Sequence, residues 1–188
     1  NKEKAIVYNT IQLYRWDRLI FLKESFAKSQ NEGYHIGAKL VRGAYMEKER
    51  KRAENRGYKS PIQPDKEATD KDYDLAVEFC VENKIAVCVG THNEESSLLM
   101  VKLIANKGLD KKDKTFYFAQ LLGMSDHISF NLSNEGYNVA KYVPYGPVKE
   151  VIPYLIRRAE ENTSVAGQTS RELALISSEM RRRKLTKS

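Results

Sequence analysis

The stretch "HIGAKLVRGAY", residues 35–45, decides the fold. Residues 35–41 form a short apolar run, which is typical of a strand covered on both faces, as the strands of a parallel sheet are. Lys39 nevertheless lies inside the run, and Arg42 and Gly43 follow it directly. Positive charges beside a core need an anion, so we expect Lys39 and Arg42 to meet a ligand there. Gly43 would let that ligand approach the backbone, although a lone glycine can also simply form a turn.

Four further runs of this type alternate with helical patterns along the chain. The strands are predicted at residues 5–11, 35–41, 85–91, 116–122 and 138–145. The helices are predicted at residues 14–33, 44–58, 67–84, 94–108, 125–136, 148–164 and 170–184. This alternation predicts an α/β protein with a parallel sheet, either doubly wound and open or part of an eight-stranded barrel. The 188 residues are too few for a whole barrel.

Composition narrows the classes of partner. The net charge is +7 at pH 7, which suits a nucleic acid, an anionic membrane surface or an anionic ligand. Aromatic residues are not interleaved with the basic runs, so no nucleic-acid interface is predicted. No apolar run is long enough to cross a bilayer, and any membrane contact would be peripheral. The two cysteines, Cys80 and Cys88, are predicted to be free thiols, and the histidines and cysteines lack the spacing of metal ligands.

Polar or conformationally special residues follow every predicted strand. They are Asn9 and Gln12, then residues 39–45, 91–93, 120–124 and 142–146. The active site lies at the carboxyl edge of the sheet in both architectures, so these strand ends are expected to share one rim. The rim positions would be Asn9, Val41, Thr91, Leu121 and Tyr142. Two alternatives remain open: Thr91 or Asn93 caps the next helix, and His92 is structural.

The helix at residues 148–164 carries two adjacent arginines. They share one face with a tyrosine and a glutamate, as Tyr154, Arg157, Arg158 and Glu161. The neighbouring apolar stripe, expected to be buried, consists of Val148, Val151, Ile152, Leu155 and Ala159. Arginines at a core boundary are costly unless an anion pairs with them, and the guanidinium suits a carboxylate or phosphate. The alternative is an exposed ion pair between Arg157 and Glu161, which would stabilise little.

Six segments, in order, resemble proline dehydrogenase, most closely its single-function branch. They are "NTIQLYR" from residue 9, "GAKLVRGAYMEKER" from 37, "PIQPDKEATDKDY" from 61, "THNEES" from 91, "QLLGMSDHISF" from 120 and "YVPYGPVKEVIPYLIRRAEENTS" from 142. The resemblance implies a distorted (βα)8 barrel of the TIM type that binds FAD. Residues 1–188 are similar to strands 4–8 and the closing helix. We therefore expect the C-terminal part of an FAD-binding barrel domain, with the N-terminal strands absent.

The resemblance also implies a reaction. The family oxidises L-proline to Δ1-pyrroline-5-carboxylate, the first step of proline catabolism, by hydride transfer to flavin N5. A quinone is the expected final electron acceptor. The expected location is the cytoplasm or the surface of the inner membrane, and the mitochondrion in a eukaryote. Such chemistry requires a well-placed substrate and an excluded solvent rather than a metal.

Site residues carry over from the family position by position. Those expected at the substrate and at flavin N5 are Lys39, Leu122, Tyr142, Tyr154, Arg157 and Arg158, with the two arginines on the substrate carboxylate. Those expected to contact FAD are Asn9, Lys39, Val41, Gly43, Ala44, Thr91, His92, Asn93, Gln120, Glu161 and Ser164.

A five-stranded arc would leave its strand edges open. We therefore expect residues 1–188 alone to lack proline turnover and to self-associate through those edges. Two other classes compete with the catalytic one: a half-barrel that binds flavin or an anion without turnover, and a basic module for a nucleic-acid or membrane surface. A change in flavin absorbance on addition of proline separates the first class from the others.

Overall fold

Five parallel strands form one sheet. The structure, a computed structural model, describes residues 2–164 and 168–185. The strands are β1 (Tyr8–Gln12), β2 (Gly37–Val41), β3 (Ala86–Gly90), β4 (Phe116–Leu121) and β5 (Val139–Tyr142). The helices are α1 (Arg18–Glu32), α2 (Met46–Arg56), α3 (Lys66–Glu82), α4 (Glu94–Asn106), α5 (Asp126–Asn134), α6 (Val148–Ser164) and α7 (Gln168–Leu185). The predicted α/β class and the five parallel strands are confirmed.

The order of the strands distinguishes between the two architectures. Each strand pairs with the next one in the sequence, in the order β1-β2-β3-β4-β5. A doubly wound sheet reverses its strand order at one point, whereas a barrel does not. The sheet is therefore of the barrel type, and among the described residues it is an open sheet rather than a closed barrel.

One hydrophobic core lies between the sheet and its helices. The sheet contributes Ala38, Leu40, Val87, Val89 and Phe118, and the helices contribute Leu22, Tyr73, Val77, Met100 and Ile128. Side chains alternate along a strand, so Lys39 lies on the opposite side from Ala38 and Leu40. That opposite side carries a row in register, Thr10, Lys39, Cys88 and Tyr117, which we call the Lys39 face. A lysine can therefore interrupt an apolar run without entering the core.

The predicted rim position of Asn9 was wrong. Asn9 pairs in register with Ala38, near the start of β1, while Gln12 pairs with Val41 at the carboxyl end. The pairing even continues beyond β1, because the amide of Tyr14 donates to the carbonyl of Arg42 at 2.8 Å. As a result α1 begins at Arg18 rather than at residue 14. An apolar run shows that a strand exists, but the partner strand sets its register.

The chain divides into two compact units after Tyr142, and the second unit contains α6 and α7. The apolar stripe of α6 was expected to be buried, but Val148, Ile152 and Leu155 are 70%, 48% and 42% exposed. Two helices have too little surface to bury such a stripe between themselves, which explains the difference. Within the described residues, no helix is both long and apolar enough to cross a membrane.

An ion-pair cluster precedes α1. Asp17 accepts hydrogen bonds from Arg15 and Arg18, with Nη2–Oδ2 distances of 2.9 and 2.6 Å. Arg15 also contacts Glu49 of α2, with Nη1 3.0 Å from Oε2. The bonds from Arg15 and then Arg18 hold the pKa of the Asp17 carboxyl well below its usual range.

We expect this cluster to contribute to acid sensitivity. Because the pKa of Asp17 is lower in the folded state, its contribution is present above the unfolded pKa, about 4. That contribution is lost as pH falls through the folded value. The Asp17→Asn variant should therefore lose about 1 kcal/mol at pH 7, after allowing for solvent screening, and should lose less further stability on acidification. Urea unfolding at pH 7, 5 and 3 measures this, and parallel pH curves for variant and wild type would contradict it.

Candidate functional site

The carboxyl edge of the sheet brings several predicted site residues together. Val41, Leu121 and Tyr142 end β2, β4 and β5, and Thr91 follows Gly90 at the end of β3. Four of the five predicted rim positions therefore lie at this edge. Leu122 and Tyr142 are about half exposed there, at 55% and 47%, while Val41 and Ala44 are partly buried. Asn9, away from the edge, is exposed.

Lys39 is the cation of the Lys39 face. Its Nζ lies 5.1 Å from the centre of the Tyr142 ring, so the side chains of β2 and β5 meet over the strands between them. Burial raises the pKa of the neighbouring Cys88 thiol, and the positive charge of Lys39 partly offsets that rise. The face thus combines an ammonium group with an aromatic ring. Such a surface suits a flat, electron-rich ligand.

Arg42 turns away from the Lys39 face, towards the helices. Its Nε donates to Asp70 of α3 at 2.6 Å, Nη1 donates to Thr91 Oγ1 at 2.9 Å, and Nη2 donates to Ser96 Oγ at 3.0 Å. The guanidinium also lies 4.3 Å from the centre of the Tyr73 ring. The expectation that Arg42 meets a ligand was wrong, because its anion is Asp70. By binding Thr91 it anchors the loop after β3.

Replacing Arg42 should destabilise the sheet edge. Arg42→Met removes three charge-assisted hydrogen bonds and leaves Lys66 as the remaining cation beside Asp70, so we expect a loss of about 2–4 kcal/mol. The control is Arg50→Met, since Arg50 makes a surface pair with Glu47. That control should change stability by less than about 0.5 kcal/mol. Urea unfolding compares the two, and equal effects would show that Arg42 is not a structural anchor.

The close approach predicted at Gly43 is made by the protein itself. Gly43 has φ = 115°, and a Cβ atom there would lie 1.6 Å from Tyr14 Cδ1. Tyr14 is buried, with 1% exposure, and its hydroxyl donates to Glu49. Glycine is therefore required by the Tyr14 ring whether or not a cofactor also lies nearby. The flavin contact of Gly43 stays a prediction.

The loops after β3 and β4 are joined by hydrogen bonds. Asn93 is the N-cap of α4, and its side-chain oxygen accepts from Ser96 N at 3.0 Å. The backbone amide of Asn93 donates to Thr91 Oγ1 at 3.1 Å. The Gln120 amide is buried, where it donates to Thr91 O at 3.1 Å and accepts from Ser129 Oγ at 2.9 Å. These hydrogen bonds fix the backbone of the loop that contains Thr91, His92 and Asn93.

Sequence reasoning missed Ser125. Its Oγ lies 3.0 Å from His92 Nδ1, and its backbone is left-handed, with φ = 50°. The available signal was a serine directly before Asp126 at the start of a helix, which is a typical N-cap pattern. The hydroxyl does not cap α5, however, and contacts His92 instead.

The second unit carries the remaining predicted residues. Tyr154, Arg157 and Arg158 are partly buried on α6, and Arg158 Cζ lies 4.9 Å from the centre of the Tyr154 ring. Pro153 lies inside this helix. Glu161 and Ser164 lie on the α6 backbone, but their side chains are outside the part of the chain that the structure describes.

Comparisons with known proteins agree with one another. The profile of the family described as proline dehydrogenase matches residues 1–171. Human proline dehydrogenase 1, mitochondrial, is 44% identical over 97% of this chain, and hydroxyproline dehydrogenase from Xenopus laevis is 41% identical over 97%. A crystal structure of proline utilization A from Bdellovibrio bacteriovorus, inactivated by N-propargylglycine, superposes with a TM-score of 0.78 and 29% identity over 84% of this chain.

The matched region is a limited part of each relative. It covers 31% of the human protein, 41% of the Xenopus protein and 16% of the Bdellovibrio chain. The similarity therefore extends over almost all of this chain and over less than half of each relative.

Proposed function

Because the chain belongs to the proline dehydrogenase family, we propose that it forms part of a flavin-dependent enzyme that oxidises L-proline to Δ1-pyrroline-5-carboxylate. The observation that carries the proposal is the family match over residues 1–171, which includes the strand ends and both arginines of α6. The alternative of a half-barrel without turnover is not favoured, since the matched relatives are named as dehydrogenases.

The residues at the sheet edge fit FAD. Lys39 offers a positive charge beside the Tyr142 ring, with Nζ 5.1 Å from the ring centre. An ammonium group next to an aromatic ring suits the flat, electron-rich ring system of a flavin. FAD, when bound, would supply the acceptor for the hydride of the substrate. Lys39 would stabilise the negative charge that this reduction adds.

Proline requires an anion site and a dry pocket. Arg157 and Arg158 would bind its carboxylate, and the Arg158 guanidinium lies against the Tyr154 ring. Leu122 and Tyr142, both exposed at the rim, would cover the substrate ring and exclude water. With the substrate held in this way, the reaction would need little acid–base catalysis from the protein. A quinone would take up the electrons, and the surface of the inner membrane would suit that acceptor. In a eukaryote this membrane would be mitochondrial, as the names of the Drosophila and human relatives indicate.

Hydroxyproline is a second candidate substrate. Relatives from Xenopus laevis and Bos taurus named hydroxyproline dehydrogenase are 41% and 43% identical to this chain, close to the 44% of human proline dehydrogenase 1. The overall sequence identity therefore does not show which of the two imino acids is the substrate. The choice would rest on polar groups near the substrate ring, where an added hydroxyl needs a hydrogen-bond partner.

The test is flavin spectroscopy of the full-length protein. We expect purified protein to carry FAD, and anaerobic L-proline to bleach its visible absorbance. D-proline is the control, and trans-4-hydroxy-L-proline at matched concentrations gives the preference. Protein that takes up no FAD, or whose flavin is bleached by neither imino acid, would overturn the proposal. Bleaching by hydroxyproline alone would transfer the assignment to the second candidate.

A further inference from the structure

A chain of hydrogen bonds links the loop after β3 to the loop after β4. Gln120 donates to Thr91 O at 3.1 Å, Ser129 Oγ donates to Gln120 Oε1 at 2.9 Å, and the same hydroxyl lies 3.3 Å from Ser125 O. The chain closes where Ser125 Oγ meets His92 Nδ1 at 3.0 Å. Ser125 thus connects His92, through Ser129, to the buried side-chain amide of Gln120.

Ser125 holds an unfavourable backbone conformation. Its φ and ψ are 50° and 43°, in the left-handed region that glycine adopts more readily than serine. The residue is also 3% exposed, so its hydroxyl is held within the loop rather than in solvent. A strained, buried, non-glycine residue beside a proposed binding site is a candidate for a role in that site.

A simple role as a loop tie does not require this serine. The same two segments are already joined by His127 Nε2 and Glu94 Oε1, which lie 3.0 Å apart, and by the Gln120 amide. The loop after β4 is also held by Lys141, whose Nζ donates to Met124 O at 2.8 Å. What Ser125 adds to these contacts is a hydroxyl on the imidazole of His92.

We propose that Ser125 is a positioning residue of the flavin site, whose hydroxyl fixes the orientation of the His92 imidazole through Nδ1. This inference rests on the proposed function, because His92 is assigned to the flavin only by family resemblance. An imidazole that is already oriented loses less freedom when a ligand binds, so flavin affinity is higher than with a rotating ring. The left-handed backbone at Ser125 is the conformation that directs the hydroxyl to His92.

The experiment compares Ser125→Ala and Ser125→Gly in the full-length protein, each also in a His92→Phe background. Both variants remove the hydroxyl, but only glycine relieves the backbone strain. Ser133→Ala is the control, since Ser133 is an exposed serine of α5, the helix that follows Ser125. Three quantities are measured: the dissociation constant of FAD, the midpoint potential of bound FAD and the unfolding midpoint of the apoprotein.

We expect both Ser125 variants to weaken FAD binding by about three- to tenfold, which corresponds to the free energy of one hydrogen bond. The midpoint potential of bound FAD should shift in the same direction in the two variants. In the His92→Phe background neither change should have a further effect. The unfolding midpoint should move oppositely in the two variants, higher in the glycine variant and lower in the alanine variant. Recovery of wild-type affinity by glycine, or an undiminished effect without His92, would overturn the inference alone. Absence of FAD from the wild-type protein would overturn both the inference and the proposed function.

Discussion

The Gly43→Ala variant is expected to lose more than about 3 kcal/mol of unfolding free energy. Two costs combine at this position. The backbone has φ = 115°, outside the regions that alanine tolerates, and the new Cβ would lie 1.6 and 1.7 Å from two atoms of the Tyr14 ring. The ring cannot move away easily, because Tyr14 is buried and its hydroxyl donates to Glu49.

Two comparisons separate these costs in urea unfolding. Gly57→Ala has a positive φ of 66° with nothing within 4 Å of the added Cβ, so it should lose only about 1 kcal/mol. Placing Gly43→Ala in a Tyr14→Ala background removes the clash and should reduce the glycine effect towards the same value. If Gly43→Ala costs no more than Gly57→Ala, the Tyr14 contact does not explain the glycine.

Arg157→Met and Arg158→Met are each expected to lower kcat/KM for proline by about ten- to hundredfold in the full-length protein. Each loses a charge-assisted bond to the substrate carboxylate, which is worth about 1.5–3 kcal/mol. The Arg→Lys variants should recover little, because a single ammonium cannot reproduce the planar fork of the guanidinium. FAD content should stay close to that of the wild type, since the flavin contacts are expected mainly at the sheet edge.

Steady-state kinetics and flavin absorbance are measured together. Arg182→Met on α7 is the control, because Arg182 is exposed and pairs with Glu179 of its own helix. It should leave proline kinetics unchanged. Unchanged kinetics in both the Arg157 and Arg158 variants would return these arginines to the alternative of a surface ion pair.

The elements of this fold could be predicted from sequence because each strand lies in or next to a short run rich in apolar residues, between helical patterns. All five were located, and the sequential strand order then distinguished the barrel type from the doubly wound sheet. A helix cap could also be predicted. Asn93 before α4 was one of two candidate caps, and its side chain accepts a hydrogen bond from Ser96 N. These features depend on residues close together in the chain, where spacing carries the information.

Contacts between distant residues could not be predicted. Arg42 was assigned to a ligand because its partner Asp70 lies 28 residues away on another element. Gly43 was assigned to a ligand for the same reason, since nothing in the sequence connects it with Tyr14. Asn9 was misplaced because an apolar run does not reveal register. The site roles carried over from the family remain predictions at every position.

The sequential strand order also bears on how the chain acquires its structure. Tyr8 pairs with Gly37, Gly37 with Ala86, Val87 with Phe116 and Phe118 with Val139, so every pairing joins a strand to the one synthesised just before it. Within the part of the chain that the structure describes, each strand therefore finds a partner in the strand before it or the strand after it. The paired residues are 21 to 49 positions apart in the chain, and the entropic cost of closing a loop grows only slowly with its length. Each β-strand can therefore dock on a finished neighbour as the polypeptide leaves the ribosome, and the sheet grows in the direction of translation.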